Sequence, residues 1–235
     1  MTPDAHNAAT RNRPQVILSV AVSLDGYIDD AARERLLLSS PEDFDRVDSV
    51  RAECDAILIG ANTLRRDNPR LLIASEHRRA LRAARGLPVH PLKVVLSASG
   101  DLDPAVRFWH CGDEKVIYTC AASDGVSERF DGIADVVEAG TPLDLGAVLD
   151  DLWHRGVRRL MVEGGGTVHT QFLAQDLADE LHIAVAPVLV GQRDAPRFLH
   201  PARFPGGTGR RLRLIDTQPL GDTVLNRYDL RGSAA

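Results

Sequence analysis

The sequence predicts one α/β domain built on a mostly parallel sheet and closed by an antiparallel hairpin at its C-terminal edge. Three observations carry this expectation. Short apolar runs alternate with amphipathic segments over most of the chain, as they do where helices connect parallel strands. Beyond residue 180 the order changes to strand, strand, strand, with polar and apolar residues alternating as in a half-solvated antiparallel pair. No internal repeat and no linker interrupts the 235 residues, so residues 15–231 are expected to form a single domain behind a disordered lead, residues 1–14.

Each element has a local reason. Val16 to Ser23 is a valine-rich apolar run that stops at Asp25-Gly26, hence a buried strand. Ser40-Pro41-Glu42-Asp43 starts a helix: Ser40 caps it, Pro41 takes the first helical position and acids fill the first turn. Phe44, Val47, Val50 and Cys54 then recur at helical spacing as its apolar face. Ala56 to Ile59 is a second buried strand, ended by Gly60, and Asp67-Asn68-Pro69 is turn chemistry. An arginine-rich stretch, His77 to Gly86, precedes a strand at Leu92 to Leu96, and Val116 to Thr119 and Asp135 to Val137 are two more. Asp144 to Arg155 is an amphipathic helix with Leu145, Val148, Leu149 and Leu152 on one side and Gly156 as its stop. Arg159 to Val162 is a strand that runs into a glycine triplet, after which Val168, Phe172 and Leu173 mark a helix. Glu180 to Ala186 is a strand, Pro187 to Gly209 a Gly/Pro-rich connection, and Arg211 to Ile215 with Thr223 to Leu230 the closing hairpin.

Composition narrows the function. With 44% hydrophobic and 26% charged residues the chain can bury a core without disulfide or metal staples. A net charge of -5 argues against a nucleic-acid partner, which calls for a basic face. No apolar run reaches the roughly 20 residues of a membrane helix, and the polar N-terminus lacks the apolar core of a signal peptide. A cytoplasmic protein with no membrane partner is expected. Cys54, Cys111 and Cys120 fit free thiols in a reducing compartment. The eight histidines stand in no metal-ligand spacing, and no metal site is expected.

Three turns can carry chemistry. In Glu163-Gly164-Gly165-Gly166-Thr167, between strand and helix, the glycines allow a ligand close to the backbone and the free amides of the helix start favour a phosphate. On spacing alone this is equally a plain strand-to-helix turn, since it matches neither GxGxxG nor the P-loop. Gly60-Ala61-Asn62-Thr63-Leu64 offers close approach and side-chain hydrogen bonds; capping of a helix by Asn62 or Thr63 is the commoner role. Asp67 and Arg70, three residues apart, can orient a sugar or clamp a phosphate, although taken alone they read as a surface turn. The run Arg78, Arg79, Arg82 and Arg85 either meets the extra phosphate of NADP or, more commonly for such runs, forms a solvated helical face. Trp109 and Trp153 read as core or interface aromatics.

In their order along the chain these segments resemble the pyrimidine reductases of riboflavin biosynthesis. The residues that carry the likeness are Ser23-Leu24-Asp25-Gly26, Ser39 to Asp43, Asp55 to Leu71, Val162 to Gly166, Asp179-Glu180-Leu181 and Ala186 to Gly191, within a span of residues 16 to 230. The resemblance implies a dihydrofolate-reductase-like fold with helices on both faces of the sheet, a homodimer, and NADPH as cofactor. It implies hydride transfer to the ribosyl C1′ of a phosphorylated aminopyrimidine, of the 5-amino-6-ribosylaminouracil 5′-phosphate type, through its open-chain imine. By position, Gly60, Asn62, Thr63 and Leu64 then line the cofactor, and Gly164, Gly165, Gly166 and Thr167 hold its pyrophosphate. Ser97 and Ser99 neighbour the adenosine 2′-phosphate. Asp67 and Glu163 are the acids of the substrate pocket, Asp67 to handle a proton or orient and Glu163 to bind, two roles that the sequence does not separate. Asp25, Tyr27, Ser39, Arg51 and Arg70 fall on the substrate side, Arg51 at its phosphate.

Two positions depart from the family pattern. Tyr27 stands where many members carry Lys, and Ala74 where bacterial members carry Arg, with Arg35, Arg66 or Arg70 as the nearest alternative cations. The stretch from Asp29 to Leu38 is also shorter than usual. These departures keep two further readings open: a reductase of the same fold acting on another pteridine or pyrimidine, and a nucleotide-binding module without catalysis.

Overall fold

Nine strands and six helices form among the residues that the computed structural model describes, 12–120 and 125–233. In chain order they are β1 (Gln15–Ser23), α1 (Pro41–Glu53), β2 (Ala56–Gly60), α2 (Ala61–Asp67), α3 (Glu76–Ala84), β3 (Leu92–Leu96), β4 (Lys115–Thr119), α4 (Val126–Arg129), β5 (Asp135–Glu138), α5 (Leu145–His154), β6 (Arg159–Gly164), α6 (Gly166–Ala174), β7 (Glu180–Ala186), β8 (Leu212–Leu220) and β9 (Thr223–Ser233). All nine strands join one sheet in the order β5-β4-β3-β2-β6-β1-β7-β9-β8. The first seven run parallel, and β9 pairs antiparallel with both β7 and β8. The expected mostly parallel sheet with an antiparallel edge is therefore the observed one.

The core explains why β2 is apolar throughout. Ala56 and Leu58 of β2 face a cluster with Leu149, Leu152 and Phe172, while Ile57 and Ile59 face a second with Phe108, Trp109 and Phe130. Successive residues point to opposite faces and both faces are covered, so no polar alternation survives. Trp109 sits edge-on between Phe108 and Phe130, centroids 4.7 and 4.9 Å away, as a core aromatic. A third, small cluster joins Ile17, Cys54 and Met161 to Val47 and Val50 of α1.

Several local expectations change. Ser40 does cap α1 and accepts the Asp43 amide, but Phe44 is exposed; the side chains that α1 buries are Asp43 and Asp48, because its first half borders a cavity rather than the core. Gly60, with no capping side chain, precedes α2, so Asn62 and Thr63 are not caps and lie inside its first turn. The arginine-rich helix α3 is mostly exposed, as expected, except for Arg82, which is 3% exposed and donates to the carbonyls of Ala52, Cys54 and Pro88, closing the end of α1. Arg78 pairs with Asp45 and Asp48. In the closing hairpin, strand β8 runs to Leu220 and is exposed on both sides over most of its length, so its alternation does not report a covered face. Of the expected disordered lead, residues 1–11 lie outside the described residues; Arg13 is fixed by a double hydrogen bond to Asp179 at 2.8 and 2.9 Å. Gly232 and Ser233, beyond the expected domain end at residue 231, belong to β9.

Candidate active site

The parallel pairing of β1 with β6 stops at Leu18 and Val162, although β1 continues to Ser23 and β6 to Gly164. Past that point the two strands part, and a cavity of about 850 Å³ opens between Ser19, Val20 and Ala21 on one lip and Glu163, Gly165 and Gly166 on the other. The chain leaves β2 toward β3 and leaves β6 toward β7, in opposite directions across the sheet. That is the switch point at which open α/β sheets bind ligands. Glu163 is itself a bulge residue, since the β2 register passes from Leu58↔Val162 to Ile59↔Gly164 and skips it. A bulge beside a cleft re-aims a side chain, and here it sends the carboxylate to the cavity wall.

The two glycine turns meet. A Cβ on Gly60 would lie 2.8 Å from Val168 Cγ2, and one on Gly165 would lie 3.1 Å from Thr63 Oγ1. A Cβ on Gly166 would come within 2.2 Å of the Arg197 carbonyl oxygen, so the connection after β7 closes directly over the start of α6. Gly164 has φ +122°, which side chains with a Cβ rarely adopt, and its peptide to Gly165 is cis. Among the described residues no side chain caps α6, and the start of this nine-residue helix, Gly166 and Thr167, lines the cavity. Ser97, just after β3, also lines the cavity, and its buried hydroxyl has no hydrogen-bond partner among the described residues.

The acids are treated unequally. Asp67, at the end of α2, lines the cavity with Arg35 3.8 Å away. Burial pushes its carboxyl above the ordinary value, and Asp29 adds to this against the pull of Arg35 and Arg66. Glu163 instead takes two hydrogen bonds from Arg51, each 2.7 Å, while the third arm of Arg51 donates to the Leu72 carbonyl. His169, wholly buried at the cavity, is held neutral by desolvation, its pKa lowered to about 3.

Of the residues expected at the site, the cavity gathers Ser39, Arg51, Gly60, Asn62, Thr63, Asp67, Ser97, Ser99, Glu163, Gly165, Gly166 and Thr167. It does not gather Leu64, Gly164, Asp25, Tyr27 or Arg70. The Leu64 side chain turns into the core. Asp25 accepts the amides of Val190 and Gly191 and the Ser23 hydroxyl, which holds its carboxyl down at about 2; it fastens two loops together. Tyr27 is buried under Arg197, whose guanidinium lies 4.1 Å from its ring and donates to its hydroxyl at 2.7 Å. Arg70 points to solvent. Arg51 is engaged by Glu163, which leaves Arg35 and Arg66 as the expected alternative cations at the cavity, Arg66 being tied to Asp29 at 2.7 Å. The amide of Ala74 donates to Asp48. Ser19, Asp43, Arg46 and Arg197 line the cavity without having been expected there. A serine inside the apolar run of β1 was the one available signal.

A parallel sheet parted at its switch point, glycine turns on one lip and buried acids beside them: this is the architecture of the dihydrofolate-reductase-like reductases. The model of the RibD C-terminal domain matches residues 14–225, and the chain belongs to that family. Among its relatives is the 2,5-diamino-6-ribosylamino-4(3H)-pyrimidinone 5′-phosphate reductase of Archaeoglobus fulgidus, 37% identical over 188 residues, 78% of this chain and 85% of that protein. The enzyme of the same name from Methanothermobacter thermautotrophicus is 35% identical over 225 residues, 94% of this chain and all of that protein. Among solved structures, the deaminase/5-amino-6-(5-phosphoribosylamino)uracil reductase of Thermotoga maritima superposes with a TM-score of 0.77 at 21% identity, over 92% of this chain and 56% of that one. Dihydrofolate reductase from Enterococcus faecalis, solved with NADP(H), shares the fold at a TM-score of 0.53 and 12% identity, over 92% of this chain and 95% of that one.

Proposed function

We propose that this chain is an NADPH-dependent reductase that converts the ribosyl group of a phosphorylated ribosylaminopyrimidine to a ribityl chain. The observation that carries the reading is the meeting of both glycine turns and Asp67 around one opening in the sheet. The residues present fit the cofactor. The uncapped start of α6 and the bare backbone of Gly165 and Gly166 suit a pyrophosphate. The unpartnered Ser97 hydroxyl, Ser99, and Arg65 held by Asn62 and the Asp101 carbonyl suit the adenosine 2′-phosphate. Bound there, NADPH supplies the hydride.

The chain's own groups do the rest. Asp67, its carboxyl raised by burial, stands at the cavity wall to pass a proton to the imine nitrogen of the opened sugar. Arg35, 3.8 Å away, then faces the carboxylate left behind. Arg51, its guanidinium taken up by Glu163, braces the wall. The proposal includes a homodimer, supported by the exposed Leu212, Leu214 and Ile215 on the edge strand β8. It also includes a cytoplasmic location; no described helix is long and apolar enough to cross a membrane. Incubation of the purified chain with NADPH and the ribosylaminopyrimidine phosphate tests the reading: loss of reduced-nicotinamide absorbance with a ribityl product is expected. NADPH binding without any turnover would instead leave a nucleotide-binding module.

A further inference from the structure

A buried amine and a thiol touch outside the cavity. Lys93 interrupts the apolar run of β3 and is 0% exposed. A lysine is almost never buried this far without a carboxylate, yet its described partners are of another kind. Nζ donates to the Phe108 carbonyl at 2.7 Å and to Cys111 Sγ at 3.4 Å, and lies 4.4 Å from the centre of the Phe108 ring. Burial pulls the ammonium below its ordinary pKa; Cys111 and Asp113 oppose this, and Lys115 adds to it. The chain also makes room for the contact. A Cβ on Gly112 would stand 2.9 Å from Lys93 Cε and 3.6 Å from Nζ, so the residue after Cys111 is bare where the amine lies.

The cysteines differ in what surrounds them. Cys54 is fully buried and burial pushes its thiol up to about 12, which keeps it protonated and inert. Cys111 is half-buried, directly after the one-turn helix Arg107–His110. Among the described residues it is the cysteine whose sulfur has an amine within hydrogen-bond distance. We infer that Lys93 and Cys111 form an oxidative crosslinking site, which hydrogen peroxide closes as a sulfenamide bond between Nζ and Sγ. In the first step the Cys111 sulfur attacks the peroxide: the O–O bond breaks, sulfur is oxidised to a sulfenic acid and one water leaves. Sulfenic acid condenses with a neighbouring nitrogen. The neutral Lys93 amine therefore attacks that sulfur; the N–S bond forms, the S–O bond breaks, and the hydroxyl departs with an amine proton as a second water. One peroxide is reduced to two waters and the pair loses two hydrogens. The bond ties β3 to the turn on which Asn68 leans, since the Phe108 amide donates to Asn68 Oδ1 at 3.0 Å and Arg107 to its carbonyl at 2.9 Å. Asn68 adjoins Asp67, so the crosslink fixes the support of the acid from behind. The inference does not depend on the reductase reading.

The test treats the folded full chain with hydrogen peroxide, blocks the remaining thiols, and maps its peptides by mass spectrometry. Expected is a peptide pair joined through Lys93 and Cys111, lighter by two hydrogens than the sum of its parts and split by dithiothreitol into free amine and thiol. In urea, where the pair is no longer held together, the yield should fall by about tenfold or more. The treated chain should also melt at a higher temperature than the reduced one, because the bond closes a loop, and dithiothreitol should abolish the shift. Lys93→Met keeps the bulk of the side chain and removes the amine, so peroxide should carry Cys111 on to sulfinic acid with no crosslink. Should that variant not fold, Cys111→Ser changes a half-buried position instead, and the joined peptide should be absent from it. Cys111 recovered from the wild type as an acid beside unmodified Lys93, in a disulfide with Cys54 or Cys120, in a link that retains an oxygen, or unoxidised overturns the inference. An equal yield in urea overturns it as well.

Discussion

At the amino ends of β1 and β7, Asp179 accepts two hydrogen bonds from Arg13, one from Arg231 and one from the Val16 amide, all between 2.8 and 2.9 Å. Beyond the carboxyl end of β2, Asp67 has, among the described residues, only Arg35 at 3.8 Å as an ion partner. Burial pushes both carboxyls up. At Asp179 the arginines and the amide outweigh it and the carboxyl ends below its ordinary value, whereas at Asp67 burial wins. One sheet thus carries a satisfied carboxylate where it needs support and a poorly satisfied one where chemistry is proposed, which is how perturbed groups come to mark sites.

Breaking this contrast should produce separable effects. The largest is at Asp67: Asp67→Asn should lower kcat by about 10²–10⁴-fold, the usual weight of a positioned proton donor, with folding intact by circular dichroism. Asp179→Ala should do the reverse, costing about 3–5 kcal/mol in urea unfolding because it removes the buried acceptor shared by Arg13, Arg231 and the Val16 amide, while activity per folded molecule is kept. Gly166→Ala drives a methyl against the Arg197 carbonyl and should cost about 1–3 kcal/mol and weaken NADPH binding, read by calorimetry. The smallest effect is in the pH dependence of stability, where the two acids have opposite signs. The Asp179 contribution is complete above the unfolded carboxylate value of about 3.9 and is lost as pH falls through its lower folded value. Asp67, raised in the folded state, favours folding least at neutral pH. Asp67→Asn should therefore gain stability relative to wild type at neutral pH, and this gain should vanish as pH falls below the unfolded carboxylate value.

The sheet could be read from sequence because strands covered on both faces are mostly apolar, as in β2 and in β3 apart from the buried Lys93. The glycine turns could be read because close backbone approach leaves few alternatives to glycine at Gly60 and Gly166. What escaped was side-chain direction. A seven-residue helix gives too little periodicity to show that Leu64 turns inward while Asn62 and Thr63 turn to the cavity. Charge pairing escaped too: nothing local announces that Arg51 binds Glu163, 112 positions away, or that Arg82 serves three carbonyls. Asp43 read simply as a first-turn acid of α1, a role compatible with its place at the cavity.

The parting of β1 from β6 after Leu18 and Val162 makes the binding space an interruption in backbone pairing rather than a hollow between side chains. Its breadth follows from how two strands diverge, a property shared by every residue along both, so point substitutions at the rim can alter what is admitted without resizing the slot. Resizing it would take an insertion or deletion in β1 or β6 that moves where pairing ends. Such a change would shift Glu163 and the glycine triplet together, so new specificities are most accessible through side chains such as those of α1, with the slot itself inherited unchanged.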